Sequence, residues 1–187
     1  MKNILLLTLF SVSLTACTFE LPESTIDGSS AGGSTGSTAN LKSAPEFDLA
    51  SLGGGTLNSE ELKGKVLVVD FWATWCSPCI EEIPNFNTLH VEQDNDKFAM
   101  LGITVESGSF EDVEPFIERL GIEYPVVMGD GDVVSGFGGL IGFPTTFVVT
   151  PNWKIYKKYL GMKTGKKELI EQDVIDLIGS EEVAELF

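Results

Sequence analysis

Two cysteines three positions apart, Cys76 and Cys79, lie where a short apolar run gives way to a helical pattern. The stretch is Val66 to Pro84, Val-Leu-Val-Val-Asp-Phe-Trp-Ala-Thr-Trp-Cys-Ser-Pro-Cys-Ile-Glu-Glu-Ile-Pro. In a first helical turn this spacing puts both side chains on one face within reach of a disulfide, so the pair can alternate between dithiol and disulfide. A cysteine at a helix N-terminus meets unpaired backbone N–H groups and the positive end of the helix dipole, which favour thiolate over thiol. Cys76 is thus the better nucleophile, and Cys79, one turn in, would resolve a mixed disulfide formed on Cys76. Pro78 fits the first turn, where a missing N–H costs nothing. Two other chemistries compete for the same residues. A zinc or copper site needs about four ligands, and the mature chain offers only these two cysteines and His90, with no second Cys-x-x-Cys. A purely structural disulfide closing so short a loop adds little stability. Redox exchange is the reading the residues favour, with no metal and no cofactor beyond the Cys76–Cys79 couple itself.

The element that positions the pair is Val66 to Phe71, whose β-branched composition suits a strand buried on both faces. Alternation puts Val66, Val68 and Asp70 on one face and Leu67, Val69 and Phe71 on the other. Asp70 is the odd residue, because a carboxylate there is expensive unless paired, hydrated or protonated, and desolvation raises its pKa. A strand-end aspartate held by hydrogen bonds is the alternative reading. After the cysteines a helix is expected from Ser77 to about Glu92, with Ile80, Ile83, Phe86 and Leu89 packing on the sheet and Pro84 kinking it. His90 reads as a surface helix residue.

Asp70-Phe71-Trp72-Ala73-Thr74-Trp75-Cys76-Ser77-Pro78-Cys79, continued by Glu81-Glu82-Ile83-Pro84, resembles the thioredoxin superfamily. Within it the chain is similar to the membrane-anchored thiol-disulfide oxidoreductases of the TlpA/ResA type, over roughly Ala44 to Ile178. Trp75 to Cys79 matches the family's active-site motif, with Ser77 and Pro78 in its variable middle. The resemblance implies that Asp70 stands where thioredoxins have a buried aspartate that relays the proton of the second thiol, whereas many lipoprotein relatives have Asn. It also implies that Glu82 tunes the cysteine pKa values, Glu81 being a solvated neighbour. Gly142-Phe143-Pro144-Thr145-Thr146 resembles the Pro loop of the same fold, which implies a cis bond before Pro144. Phe143, Pro144 and Thr145 would then line a groove where substrate backbone lies beside Cys76.

The chain opens with Met1-Lys2, an apolar stretch from Ile4 to Leu14, and Leu14-Thr15-Ala16-Cys17. Eleven apolar residues suit a signal-peptide core rather than a span, and the last four residues resemble a bacterial lipobox. Residues 1–16 are therefore expected to be a lipoprotein signal peptide and Cys17 the lipidated N-terminus. Residues 17–43, rich in Ser, Gly and Thr, read as a flexible tether. Residues 44–179 form one domain, and residues 180–187 a frayed tail. Formal charge is -16 for 187 residues, which makes nucleic acid and anionic membrane surfaces poor partners. The expected setting is the bacterial cell envelope, with the domain lipid-anchored and facing the periplasm or exterior.

The remaining elements follow in order. Ala44 to Leu49 and Gly55 to Leu57 form a hairpin, and Asn58 or Ser59 caps a turn. Lys97 to Val105 is a strand, Ser109 caps a helix to Leu120, Tyr124 to Met128 is a strand, and Gly129 to Asp132 is a turn before a short helix from Val133 to Ile141. Strands at Pro144 to Val149 and Lys154 to Leu160 precede an amphipathic helix from Lys166 to Ile178. Lys154, Lys157, Lys158, Lys163, Lys166 and Lys167 read as a solvated edge strand and helix start. This order implies an α/β fold, a thioredoxin-like three-layer sandwich with a mostly parallel central sheet and an added N-terminal β-hairpin. The function expected from the resemblance is reduction of protein disulfides by a monomer. Its substrates would be secreted or membrane proteins, as in cytochrome c maturation, and its electrons would come from a membrane donor. A peroxiredoxin-like peroxide reductase would need Thr in a Thr-x-x-Cys setting, where this chain has Ala73. A disulfide-donating oxidase would use the same residues at a different potential. A non-enzymatic copper or zinc chaperone would use the two thiols as ligands.

Overall fold

The computed structural model describes residues 41–93 and 95–184. The expected signal peptide, Cys17 and nearly all of the expected tether lie outside them. Seven strands and four helices follow in the order β1 (Asp48–Ala50), β2 (Thr56–Asn58), β3 (Val66–Trp72), α1 (Ser77–Glu92), β4 (Phe98–Thr104), α2 (Phe110–Leu120), β5 (Val126–Met128), α3 (Gly131–Gly136), β6 (Thr145–Val149), β7 (Ile155–Leu160) and α4 (Lys166–Ala184). β1 and β2 pair antiparallel as the added hairpin, and the other five form one sheet in the order β5-β4-β3-β6-β7. Its parallel half is β3-β4-β5, and β6 and β7 join antiparallel, so the sheet is mixed rather than mostly parallel. With helices against the sheet, this is the thioredoxin-like sandwich. Among the described residues, no helix is long and apolar enough to cross a membrane.

β3 is central and every one of its seven residues is buried, as expected of a strand covered on both faces. Val66, Val68 and Trp72 pack with Cys79, Phe86, Leu89, Ile170 and Val174 on one side of the sheet. Leu67, Val69 and Phe71 pack with Phe137, Phe147 and Trp153 on the other. Asp70 lies opposite Gly102 of β4 and Thr146 of β6. Gly102 is closely covered, since a Cβ there would stand 3.0 Å from the Tyr124 ring and 3.3 Å from Trp72 Nε1, so a side chain would push those rings aside.

Local chemistry sets most element ends. Asn58 and Glu61 form a capping box around the 3₁₀ turn Ser59–Leu62, and Gly121 closes α2 in the left-handed region. Three boundaries differ from expectation. Lys42 and Ser43, assigned on composition to the tether, are tied to the domain: Ile155 N–H donates to the Lys42 carbonyl at 2.8 Å, and Ser43 bridges to Lys154. α4 continues past Ile178, so residues 180–184 are helical rather than a frayed tail. The short helix begins earlier, at Gly131, because Asp130 caps it by accepting from Val133 N–H at 2.8 Å. α1 runs unbroken through Pro84.

Candidate active site

Cys76 is the N-cap of α1 and Cys79 lies in its first turn, where Pro78 is tolerated. The two are joined as a disulfide with Cα atoms 5.3 Å apart, and Cys79 N–H donates to Cys76 Sγ at 3.2 Å. Cys79 is fully buried and Cys76 is 4% exposed, so the outer sulfur is the one a partner reaches first. Among the described residues, no group of three or more His, Cys, Asp or Glu side chains is placed to hold a metal ion.

Phe143 packs against the buried cluster that includes both cysteines. Trp75 is 59% exposed and stands edge-on to Phe143, ring centroids 5.4 Å apart. The Phe143–Pro144 bond is cis. Thr145 is buried and its hydroxyl donates to the Gly142 carbonyl at 2.7 Å, tightening the turn that presents Phe143. Ile141, Leu160 and Met162 are also exposed. Gly161 N–H donates to the Pro144 carbonyl at 2.8 Å, which ties the Leu160–Met162 segment to the Pro loop.

The loop before the cysteines is held by a segment to which the sequence drew no attention, Val105 to Gly108. Ser107 Oγ accepts from Thr74 N–H at 3.0 Å and from the Thr104 hydroxyl at 2.8 Å, and donates to the Val105 carbonyl. Trp75 Nε1 donates to the Glu106 carbonyl at 2.9 Å, with Glu106 itself at φ 52°. A non-glycine residue at positive φ is uncommon. Here it points a carbonyl at the active-site tryptophan. Ser-Gly after a strand was the available signal, but it reads as an ordinary turn.

Two carboxyl groups are buried in the same region, Asp70 on β3 and Glu82 one turn beyond Cys79 on α1, close enough to act on each other. Asp70 is 1% exposed and accepts from the Thr146 hydroxyl at 2.8 Å. Burial pushes its pKa up to about 7, against the pull of Lys166 and of the Thr146 hydrogen bond. Glu82, also buried, makes an ion pair with Lys166 at 2.7 Å, and Lys166 is 3% exposed. Burial raises the Glu82 pKa too, opposed by the Lys166 ammonium and the Lys163 backbone. Lys166 is therefore not part of a solvated helix start, because its ammonium is taken up by Glu82 and stands 5.5 Å from the Phe86 ring centroid. Its signal in the sequence was a lysine in the first turn of a helix, where the dipole disfavours a cation. The ion pair borders a recess of about 360 Å³ whose lining includes Glu81, Met162 and Lys163 but neither cysteine. His90 lies at the far end of α1, half-buried and edge-on to Tyr124.

Residues 41–158 match the model of the AhpC/TSA family. Thiol-disulfide oxidoreductase ResA of Geobacillus thermodenitrificans is 35% identical over 129 residues, covering 69% of this chain and 72% of its own. This chain belongs to the AhpC/TSA family, among the ResA-type thiol-disulfide oxidoreductases. Solved structures agree on the fold. A thioredoxin-family thiol:disulfide interchange protein from Chlorobium tepidum superposes with a TM-score of 0.65 at 30% identity, over 73% of this oxidoreductase and 97% of that chain. The thioredoxin domain of a thiol-disulfide oxidoreductase from Bacteroides vulgatus gives 0.63 at 26% identity, over 71% and 96%. In this oxidoreductase the matched region holds Asp70, Glu82, the disulfide and the cis-proline loop, and stops before α4, which supplies Lys166.

Proposed function

We propose that the protein is an extracytoplasmic, lipid-anchored reductase of protein disulfides that works through the Cys76–Cys79 couple. The observation that carries this reading is the asymmetry of the pair, an outer sulfur at a helix N-terminus and a fully buried inner sulfur. In the reduced protein the Cys76 thiolate, favoured by the helix dipole, attacks a substrate disulfide. One substrate sulfur leaves as a thiolate and takes a proton from water, while the other stays bonded to Cys76. Cys79 then gives its proton toward Asp70 and attacks the Cys76 sulfur. The Cys76–Cys79 bond forms, the mixed disulfide breaks, and the second substrate sulfur leaves and is protonated. Two electrons pass from the dithiol to the substrate, and a membrane donor restores the dithiol. Trp75, Phe143, Pro144 and Thr145 shape the face on which the substrate segment lies, and Pro78 and Glu82 set the surroundings of the cysteines.

Envelope localisation rests on the signal-like residues 1–16 and the lipobox-like Leu14 to Cys17, and apocytochrome c is the proposed substrate class. The test incubates the reduced protein with an oxidised, two-cysteine apocytochrome peptide and counts substrate thiols. The proposal requires two thiols released per protein oxidised, and Cys79→Ser should instead accumulate a mixed disulfide on Cys76. Absence of both products would refute it. Cys17→Ser should release the protein from the membrane fraction.

A further inference from the structure

Two buried carboxyl groups close enough to act on each other pose a question of which carries the proton. We propose that Lys166 is a positioning residue of the redox site: held against Glu82, its ammonium keeps that carboxylate ionised and leaves Asp70 as the carboxyl that gains and loses the exchangeable proton. The geometry is unequal in a way that favours this division. Glu82 has a cation in direct contact at 2.7 Å, with both side chains almost wholly buried. Among the described residues, Asp70 has only a neutral hydroxyl, Thr146 Oγ1, in hydrogen-bond contact, at 2.8 Å. A buried carboxylate with a contacting ammonium retains its charge, whereas one with only a hydroxyl partner is driven toward the neutral acid.

The groups that face Asp70 come from every element around it. Glu82 and the cysteines lie on α1, Lys166 on α4 and Thr146 on β6, while β4 offers only Gly102. Tyr124 precedes β5, and burial together with the two carboxylates holds its phenol well above its usual range, so it stays neutral. Asp173, further along α4, is occupied by Lys157 and the Tyr159 hydroxyl. Lys166 is thus the cation that acts on Asp70, and Glu82 the charge that fixes where the cation stays. Helix α4 takes part in proton handling although both cysteines lie on α1.

This inference rests on the proposed role of Asp70 in resolution, and its test separates the two. The oxidised protein is titrated with the side-chain carboxyl ¹³C of both Asp70 and Glu82 observed by NMR, so that no thiol contributes. Lys166→Met should raise the Glu82 midpoint by about one pH unit or more, through loss of its contacting cation, so that Glu82 competes with Asp70 for the proton. Glu82→Gln should move the Asp70 midpoint down, since the ammonium is then uncompensated, and Lys166→Arg should leave both midpoints near their wild-type positions. A Glu82 midpoint unmoved in Lys166→Met, or an Asp70 midpoint that does not fall in Glu82→Gln, would overturn the proposal. Should Lys166→Met fail to fold, Glu82→Gln, which keeps the volume, decides: a fall supports the division and no fall overturns it. The rate at which Cys79 resolves a mixed disulfide is measured separately in Asp70→Asn. An unchanged rate would remove Asp70 from the mechanism while leaving the titration result standing.

Discussion

Strand β3 sends alternate residues into two interiors of different character. Leu67, Val69 and Phe71 enter a layer of hydrocarbon and aromatic rings, where Phe71, Phe137 and Phe147 meet with centroids 4.8 to 5.8 Å apart. Val66, Val68, Asp70 and Trp72 face the α1 and α4 side, which also holds the inner cysteine, Glu82, Lys166 and the Tyr124 hydroxyl. One face derives its stability from burial alone. The other keeps two carboxyl groups and an ammonium out of water, each at a cost that only a partner or a proton offsets. The same seven residues thus separate what holds the fold from what conducts the chemistry, and substitutions on the two faces should have different signatures.

The largest effect is expected at the disulfide. Cys76→Ser should abolish disulfide reduction completely, and Cys79→Ser should do so while trapping substrate on Cys76, with both variants folded by circular dichroism. Next is the apolar face: Phe71→Ala should lower unfolding free energy by about 3 to 5 kcal/mol and leave the reduction potential unchanged, measured by urea titration and thiol trapping. A potential that moved with Phe71 would break the separation.

Asp70→Asn should have the contrary signature. Its carboxyl group has a raised folded-state pKa of about 7, so the folded protein binds the proton more tightly than the unfolded chain. Stability from this group is present at low pH and falls as pH rises from about 4 through about 7. At pH 8 the variant should therefore be more stable than the wild type, by at most about 4 kcal/mol from roughly 1.4 kcal/mol per pKa unit, with the difference vanishing below pH 4. Resolution of the mixed disulfide should slow by about 10²-fold, the lower range for loss of a general base. Urea titrations across pH and quenched-flow trapping check the two halves.

The smallest effect belongs to the loop that steadies the cysteines. Ser107→Ala removes the acceptor for Thr74 N–H and should cost about 1 to 3 kcal/mol, seen as a lower Tm, with turnover of the peptide substrate reduced only modestly. A loss as large as that of Asp70→Asn would show that the loop, rather than the carboxyl group, governs resolution.

How much of this was legible in the sequence follows the same division. The two faces of β3, the span of α1, the cis proline and the burial of Asp70 were all accessible from residues 66 to 84 and 142 to 149, because local pattern and family motif coincide there. The partner of Glu82 was not. Lys166 lies 84 positions away, inside a run of lysines whose average behaviour is to be solvated, and only the tertiary fold shows which of the six is buried. Ser107 escaped for a related reason, since its hydrogen bonds reach back to Thr74 across 33 positions. Lys42 and Ser43 were obscured by composition, which describes a side chain's tendency but not whether a backbone finds a strand to pair with.

The reduction potential of the Cys76–Cys79 couple, set by equilibration in dithiothreitol or glutathione buffers and read by thiol trapping, tests the central claim most directly. The account predicts a single reversible two-electron couple at about -250 mV or lower, in the range of thioredoxin-like reductants. A couple near about -120 mV would make the protein a disulfide donor and contradict it.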